Sequence, residues 1–204
     1  MAQAYQRRKV APKVRGGVVQ KKHNHRPTAA LGYILARESP SKGCRHIVTK
    51  QDIRLLTSII PNWRTLADGL ESIILTASSD AHDGRYQFFH REKTASIQIS
   101  AWDGDLWRVF TLDYFREHSG ILELLGVATE PHAEGTECRF TLRQAKAFLL
   151  LHVFLHELGH HVDRMATKSQ DASPHGEPFA ERYANELGLA IWPDYVRLFG
   201  DPRT

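Results

Sequence analysis

Five consecutive residues, His156-Glu157-Leu158-Gly159-His160, set two imidazoles four positions apart with a carboxylate beside the first. On an α-helix, side chains four apart lie one above the other on a single face, so both rings can reach one ion. Glu157 is turned by about 100° from His156, near enough to hold a metal-bound water without taking a coordination position. Two imidazoles and one carboxylate suit Zn2+ and leave its fourth position to water. The pKa of such a water falls toward neutrality, and a carboxylate can take its proton as it attacks a carbonyl. The chemistry expected is zinc-dependent hydrolysis, with His156 and His160 as ligands and Glu157 as the general base.

Incidental histidines on an amphipathic helix would spell the same five letters. The surroundings argue otherwise, because the motif follows a nearly continuous apolar run from Phe148 to Leu155. Two imidazoles are costly in such a helix unless each ring finds a partner.

The third ligand has to come from elsewhere. Asp163 shares the face but lies seven residues beyond His156, roughly 10 Å along the axis, too far to converge on one ion. It reads as a supporting or solvent-facing carboxylate. His152, one turn before His156, fails for the same reason and reads as a core or supporting histidine. Glu177 and Glu181, four apart on the last helix, are better placed, since the polar segment 168–176 lets that helix fold back. One carboxylate can then bind the metal while the other holds a ligand histidine by its second nitrogen. Ala180, Ala184 and Gly188 beside them permit the close approach of another helix. Tyr183, His175 and His161 are candidates to stabilise an oxyanion, and none has a signature that assigns it the role.

His156-Glu157-Leu158-Gly159-His160, followed by Glu177-Pro178-Phe179-Ala180-Glu181-Arg182-Tyr183-Ala184, resembles the gluzincin metallopeptidases, and within them the compact bacterial ImmA/IrrE-like branch. The resemblance covers residues 156–184 and implies a peptidase with Glu177 as third zinc ligand and Glu181 as partner of a ligand histidine. It also implies that the strand expected at 94–102 is the sheet edge above the cleft, against which an extended peptide substrate pairs. Two departures from the family pattern are Glu181, where Asp or Asn is usual, and Pro178 directly after the expected ligand.

The elements that must position these residues read as an α+β, zincin-like domain: a small twisted sheet packed on the buried metal-site helix, with a C-terminal helix closing the site. Thr141 and Gln144 form a capping-box pair that opens the long helix, expected over 142–164. Pro178 suits the first turn of the last helix, expected over 178–188, and Trp192-Pro193 should break the chain before a short amphipathic end at 195–199. Upstream, Thr49 and Asp52 cap a helix with Ile53, Leu56, Ile59 and Ile60 on its apolar face, stopped by Pro61. A second short helix is expected over 62–70, and strands over 72–78, 86–89, 94–102 and 106–110. In the third of these, Ile97, Ile99 and Ala101 alternate with Gln98 and Ser100, as for a strand with one buried face. The segment 112–125 reads as helical, interrupted at Gly120.

The charge is unevenly spread. Residues 1–27 hold eight of the 27 Lys and Arg and no acidic residue, so 19 basic face 23 acidic residues in the remainder. The segment 1–28 is expected to be a disordered basic tail and 29–204 one metallohydrolase domain. As a binding arm the tail would touch nucleic acid or an acidic surface; as a bland extension it would only aid solubility. In a rival reading the domain is a catalytically silent, zinc-stabilised scaffold with a regulatory role. No run reaches the roughly 18–20 apolar residues of a membrane span. Cys44 and Cys138 read as free thiols of a reduced, cytoplasmic chain, a single disulfide between them being the alternative.

Overall fold

The computed structural model describes residues 32–78, 82–167 and 175–204, with two short strands in the N-terminal segment. Those strands, β1 (Lys13–Arg15) and β2 (Val18–Gln20), pair antiparallel. The rest of the expected basic tail, and most of the expected loop at 168–176, lie outside the described residues.

From residue 33 onward the buried apolar residues form one core cluster. After β3 (Ile34–Arg37) and the short β4 (Cys44–Arg45), helix α1 (Lys50–Ile59) opens on the capping box expected of it. The Asp52 N–H donates to Thr49 Oγ1 at 3.1 Å, and the Thr49 N–H donates to Asp52 Oδ2 at 2.8 Å. The expected helix at 62–70 shrinks to a single turn, α2 (Trp63–Leu66), because the chain enters through Asn62 at φ 55° and then turns into a strand. That strand is β5 (Leu70–Thr76), followed by β6 (Gly84–Phe89), β7 (Thr94–Ser100), the short β8 (Trp102–Asp103) and β9 (Trp107–Phe110).

The main sheet has the order β3-β5-β7-β6, with β3, β5 and β7 parallel and β6 antiparallel to β7. This corrects the expectation for 94–102. The strand there is interior, between β5 and β6, and the edges are β3 and, on the side of the metal-ligand candidates, β6. It is also buried on both faces: Ser96 and Ser100 are as enclosed as Ile97 and Ile99. The polar half of its alternation is accommodated by hydrogen bonds such as Ser72 Oγ to Ser96 Oγ at 3.0 Å.

The helical segment at 112–125 divides into α3 (Leu112–Glu117) and α4 (Ser119–Leu125). The break falls at His118, not at Gly120. A hairpin of β10 (Ala128–His132) and β11 (Gly135–Arg139) then extends β9 into a three-stranded sheet. Cys138 is buried and Cys44 half-buried, and both are free thiols.

The long helix starts at the reciprocal cap of Thr141 and Gln144, with distances of 2.8 and 3.2 Å. It comprises α5 (Leu142–Phe148), a π-helical turn (Leu149–Phe154) and α6 (Leu155–Ala166). The last helix, α7 (Gly176–Phe199), runs 24 residues, well past the expected stop near Gly188. Gly188 is not a terminator but a contact point: a β-carbon there would lie 3.2 Å from the Leu151 carbonyl oxygen. Pro193 is tolerated inside the helix. Its ring removes one N–H, and Leu189, whose carbonyl loses that donor, is 63 % exposed, so water can serve it. A second close approach holds α7 on α6, where a β-carbon on Gly159 would stand 2.8 Å from Ala180 Cα. Among the described residues no helix is long and apolar enough to cross a membrane.

Candidate metal centre

The contact of Gly159 with Ala180 lays the first turns of α7 across the face of α6 that carries His156 and His160. His156 and His160 rise from α6, Glu177 hangs from the first turn of α7, and one ligand atom of each lies within 4.8 Å of the other two. The two Nε2 atoms are 3.1 Å apart. Glu177 Oε2 is 3.0 Å from His156 Nε2, and its Oε1 is 3.4 Å from His160 Nε2. A tetrahedral zinc ion with bonds of about 2.0–2.1 Å needs ligand atoms roughly 3.3 Å apart. The separation of the two ring nitrogens and the distance from each to its nearer Glu177 oxygen fall around that figure.

The hydrogen-bond pattern points the same way. His156 Nδ1 lies 3.3 Å from Glu181 Oε2, so it carries the proton and donates to that carboxylate. A neutral ring then presents its Nε2 lone pair to the Glu177 carboxylate and to the other imidazole. Three lone pairs aimed at one point require a cation or an extra proton there. Burial works against charge on His156, but Glu181, Glu157 and Glu177 around it raise its pKa above the ordinary value. Burial, with the neighbouring His156, lowers that of His160. The residues present fit a divalent ion.

Glu157 is 8 % exposed, and its carboxylate lies against the edge strand at Gly84. Burial pushes its carboxyl up to about 7, opposed by His156 and by the Tyr86 backbone N–H that donates to it. Gly84 at the start of β6 passes so close that a β-carbon there would stand 2.6 Å from Glu157 Oε1 and 2.5 Å from Val153 Cγ1. A cavity of about 790 Å³ opens beside the site, with Gly84, His156, Glu157, Glu177 and Glu181 in its wall.

Glu181 lies one turn along α7 from Glu177. Burial pushes its carboxyl up, but the hydrogen bond from His156, with His152 and His118 nearby, holds it at about 2. Asn185 Nδ2 donates to its other oxygen at 3.1 Å. His118, His152 and Glu181 form a second cluster whose ligand atoms also lie within 4.8 Å of one another. The fold is therefore α+β with two His/Glu groups that could hold a divalent metal ion, one wholly on its C-terminal helices and the other completed by His118 from the junction of α3 and α4.

Asp163 neither reaches the metal cluster nor faces solvent. It is 1 % exposed and accepts from the backbone N–H groups of His175 and Gly176 at 3.0 and 3.1 Å and from His175 Nδ1 at 2.7 Å. It thus ties the start of α7 to α6 and sets where Glu177 stands. His161 is committed on both ring nitrogens, to the Tyr86 hydroxyl at 3.3 Å and the Asp68 carbonyl at 2.9 Å. His175 is held by Asp163, and Tyr183 packs against Gly159 and stacks on Phe179. None of these three oxyanion candidates lines the cavity; Arg108, Tyr114 and His118 do. Arg108 pairs with buried Asp83 at 2.5 Å, and Tyr114 stacks on His118 at 3.8 Å.

Comparisons with protein-family models, with curated proteins and with solved structures return no match.

Proposed function

We propose that this chain is a zinc-dependent hydrolase of peptide bonds, built on a zincin-like plan within residues 29–204. His156, His160 and Glu177 would hold the ion, which when bound would acidify a water and polarise a carbonyl oxygen. Glu181 fixes the tautomer of His156, so that its Nε2 lone pair faces the site. Glu157, with a proton affinity matched to neutral pH in the metal-free protein, is suited to take a proton and return it to the leaving nitrogen. An extended peptide or protein segment added to the outer side of β6 would run alongside this carboxylate.

The observation that carries the reading is the placement of Glu157. It is buried beside three converging ligand atoms and in contact with the backbone of the sheet edge. A metal site that only stabilised the fold would have no use for a buried carboxylate there, since that carboxylate adds a desolvation cost. The test is reversible loss of activity. Stripping metal should abolish cleavage of a peptide library, and one equivalent of Zn2+ should restore it. Cleavage that survives complete stripping would refute the proposal.

A further inference from the structure

We propose that His118, His152 and Glu181 form a second divalent-cation site, distinct from the first and linked to it through Glu181. The inference does not depend on the peptidase reading. It rests on how these three side chains are held.

His118 sits at the junction of α3 and α4 and is buried. Its Nδ1 is 2.6 Å from the Tyr114 carbonyl oxygen, so Nδ1 carries the proton and Nε2 keeps a free lone pair. Stacking on Tyr114, with ring centroids 3.8 Å apart and planes at 19°, fixes the plane in which that lone pair points. Both features are those of an imidazole oriented as a ligand.

His152 comes from the π-helical turn and is 3 % exposed. Its ring stands edge-on to that of His118 at 4.5 Å. Its Nδ1 has no hydrogen-bond partner among the described residues, and its Nε2 is 3.9 Å from Glu181 Oε2, beyond hydrogen-bond reach. A buried imidazole left without a direct hydrogen bond is unusual and needs an explanation. A π-turn placing it there adds weight, since such turns gather at functional sites.

Glu181 supplies the charge. Its ion pairs among the described residues are with His152 and His156, and no Lys or Arg is among them. A carboxylate and two imidazole nitrogens make a donor set for Zn2+ or a neighbouring first-row ion, not for Ca2+ or Mg2+. The three residues line the same cavity as His156 and Glu177 of the first cluster, and His118 and Glu181 also line an adjoining cavity of about 400 Å³, so the site can be reached. Because Glu181 also accepts from His156 Nδ1 at 3.3 Å, a cation drawing on that carboxylate competes with its hold on the first site. The second site is accordingly the weaker of the two.

The test is a titration of the metal-stripped full-length protein with Co2+, followed by visible absorbance and checked with Zn2+ by calorimetry. The wild type should show two equivalents with different affinities. His118→Ala should retain the tighter one and weaken the other at least about 10-fold. His156→Ala/His160→Ala should keep an equivalent that disappears when His118→Ala is added, even if the first site proves to have no catalytic role. Circular dichroism reports whether each variant folds; if His118→Ala does not, the stoichiometries of the wild type and the double variant decide alone. Saturation of the wild type at one equivalent, or two equivalents unchanged by His118→Ala, would overturn the proposal.

Discussion

Gly84→Ala tests the contact between the edge strand and Glu157. The added β-carbon would meet Val153 Cγ1 at 2.5 Å, Glu157 Oε1 at 2.6 Å and Glu157 Cγ at 3.0 Å. Ordinary contacts between such atoms are about 3.5–4.0 Å, so something must move by roughly 1 Å. The strand cannot retreat freely, because Gly84 pairs with Ile99 of β7. Val153 is buried in the π-turn, which leaves the Glu157 carboxylate as the group that yields. Overpacking of this kind costs about 1–3 kcal/mol. A catalytic group misplaced by about 1 Å costs on the order of 100-fold in rate. Denaturant unfolding, bound zinc and kcat/KM on a cleaved peptide should be measured on one preparation. The expected result is normal zinc content, stability lower by about 1–3 kcal/mol and cleavage slower by about 100-fold. Gly120→Ala is the control: its β-carbon meets nothing within 4 Å, it lies inside α4, and it should gain up to ~1 kcal/mol with cleavage unchanged. Gly84→Ala protein that cleaves at the wild-type rate would refute the placement of the base against this strand.

Further expectations concern the supports of the site. The Glu157 carboxyl rises from 4.5 to about 7 on folding without metal, so its neutral form is favoured. Its contribution to stability is complete below pH 4.5 and is lost as pH rises through 7, on the order of 3 kcal/mol. The difference in unfolding free energy between metal-free wild type and Glu157→Gln should change across that window and be flat below it. Gly159→Ala would press a β-carbon to within 2.8 Å of Ala180 Cα and 3.1 Å of its carbonyl oxygen, both backbone atoms, and should part α6 from α7. Calorimetry should show a loss of about 1–3 kcal/mol in stability together with weaker zinc binding. Asp163→Asn keeps the shape of a side chain that accepts from His175 and Gly176 but removes its charge. Zinc affinity should drop by about 10–100-fold with the fold intact, and an unchanged affinity would deny Asp163 its part in placing Glu177.

The helix that carries His156 and His160 was legible because its capping box and apolar run are local features. Glu177 and Glu181 were legible as a pair because Ala180, Ala184 and Gly188 announce a close helix crossing. The length of that helix was not legible, because a glycine at the end of the expected 178–188 stretch can either stop its own helix or admit a neighbouring one, and the two look alike in one dimension. Strand β10 left no trace because all five of its residues are exposed and no apolar alternation marks it. The order of the main sheet was hidden for another reason: β7 pairs in parallel with β5 and antiparallel with β6, and alternation along one strand does not name its neighbours. Asp163 was excluded as a ligand by its position along the helix, but its partners are backbone N–H groups of the next element, which spacing within one helix cannot reveal. His118 sits in an ordinary helical stretch of sequence, and its place beside His152 depends on a π-turn that the apolar residues of 149–154 do not signal.

In the proposed chemistry Glu177 holds the metal and the neighbouring carboxylate of Glu157 moves the proton. Bound zinc and peptide cleavage should be measured side by side for the wild type, Glu157→Gln and Glu177→Ala. The expected result is that Glu157→Gln keeps its zinc and loses cleavage, while Glu177→Ala loses zinc and cleavage together. Cleavage by Glu157→Gln equal to that of the wild type, or full zinc occupancy in Glu177→Ala, would contradict it.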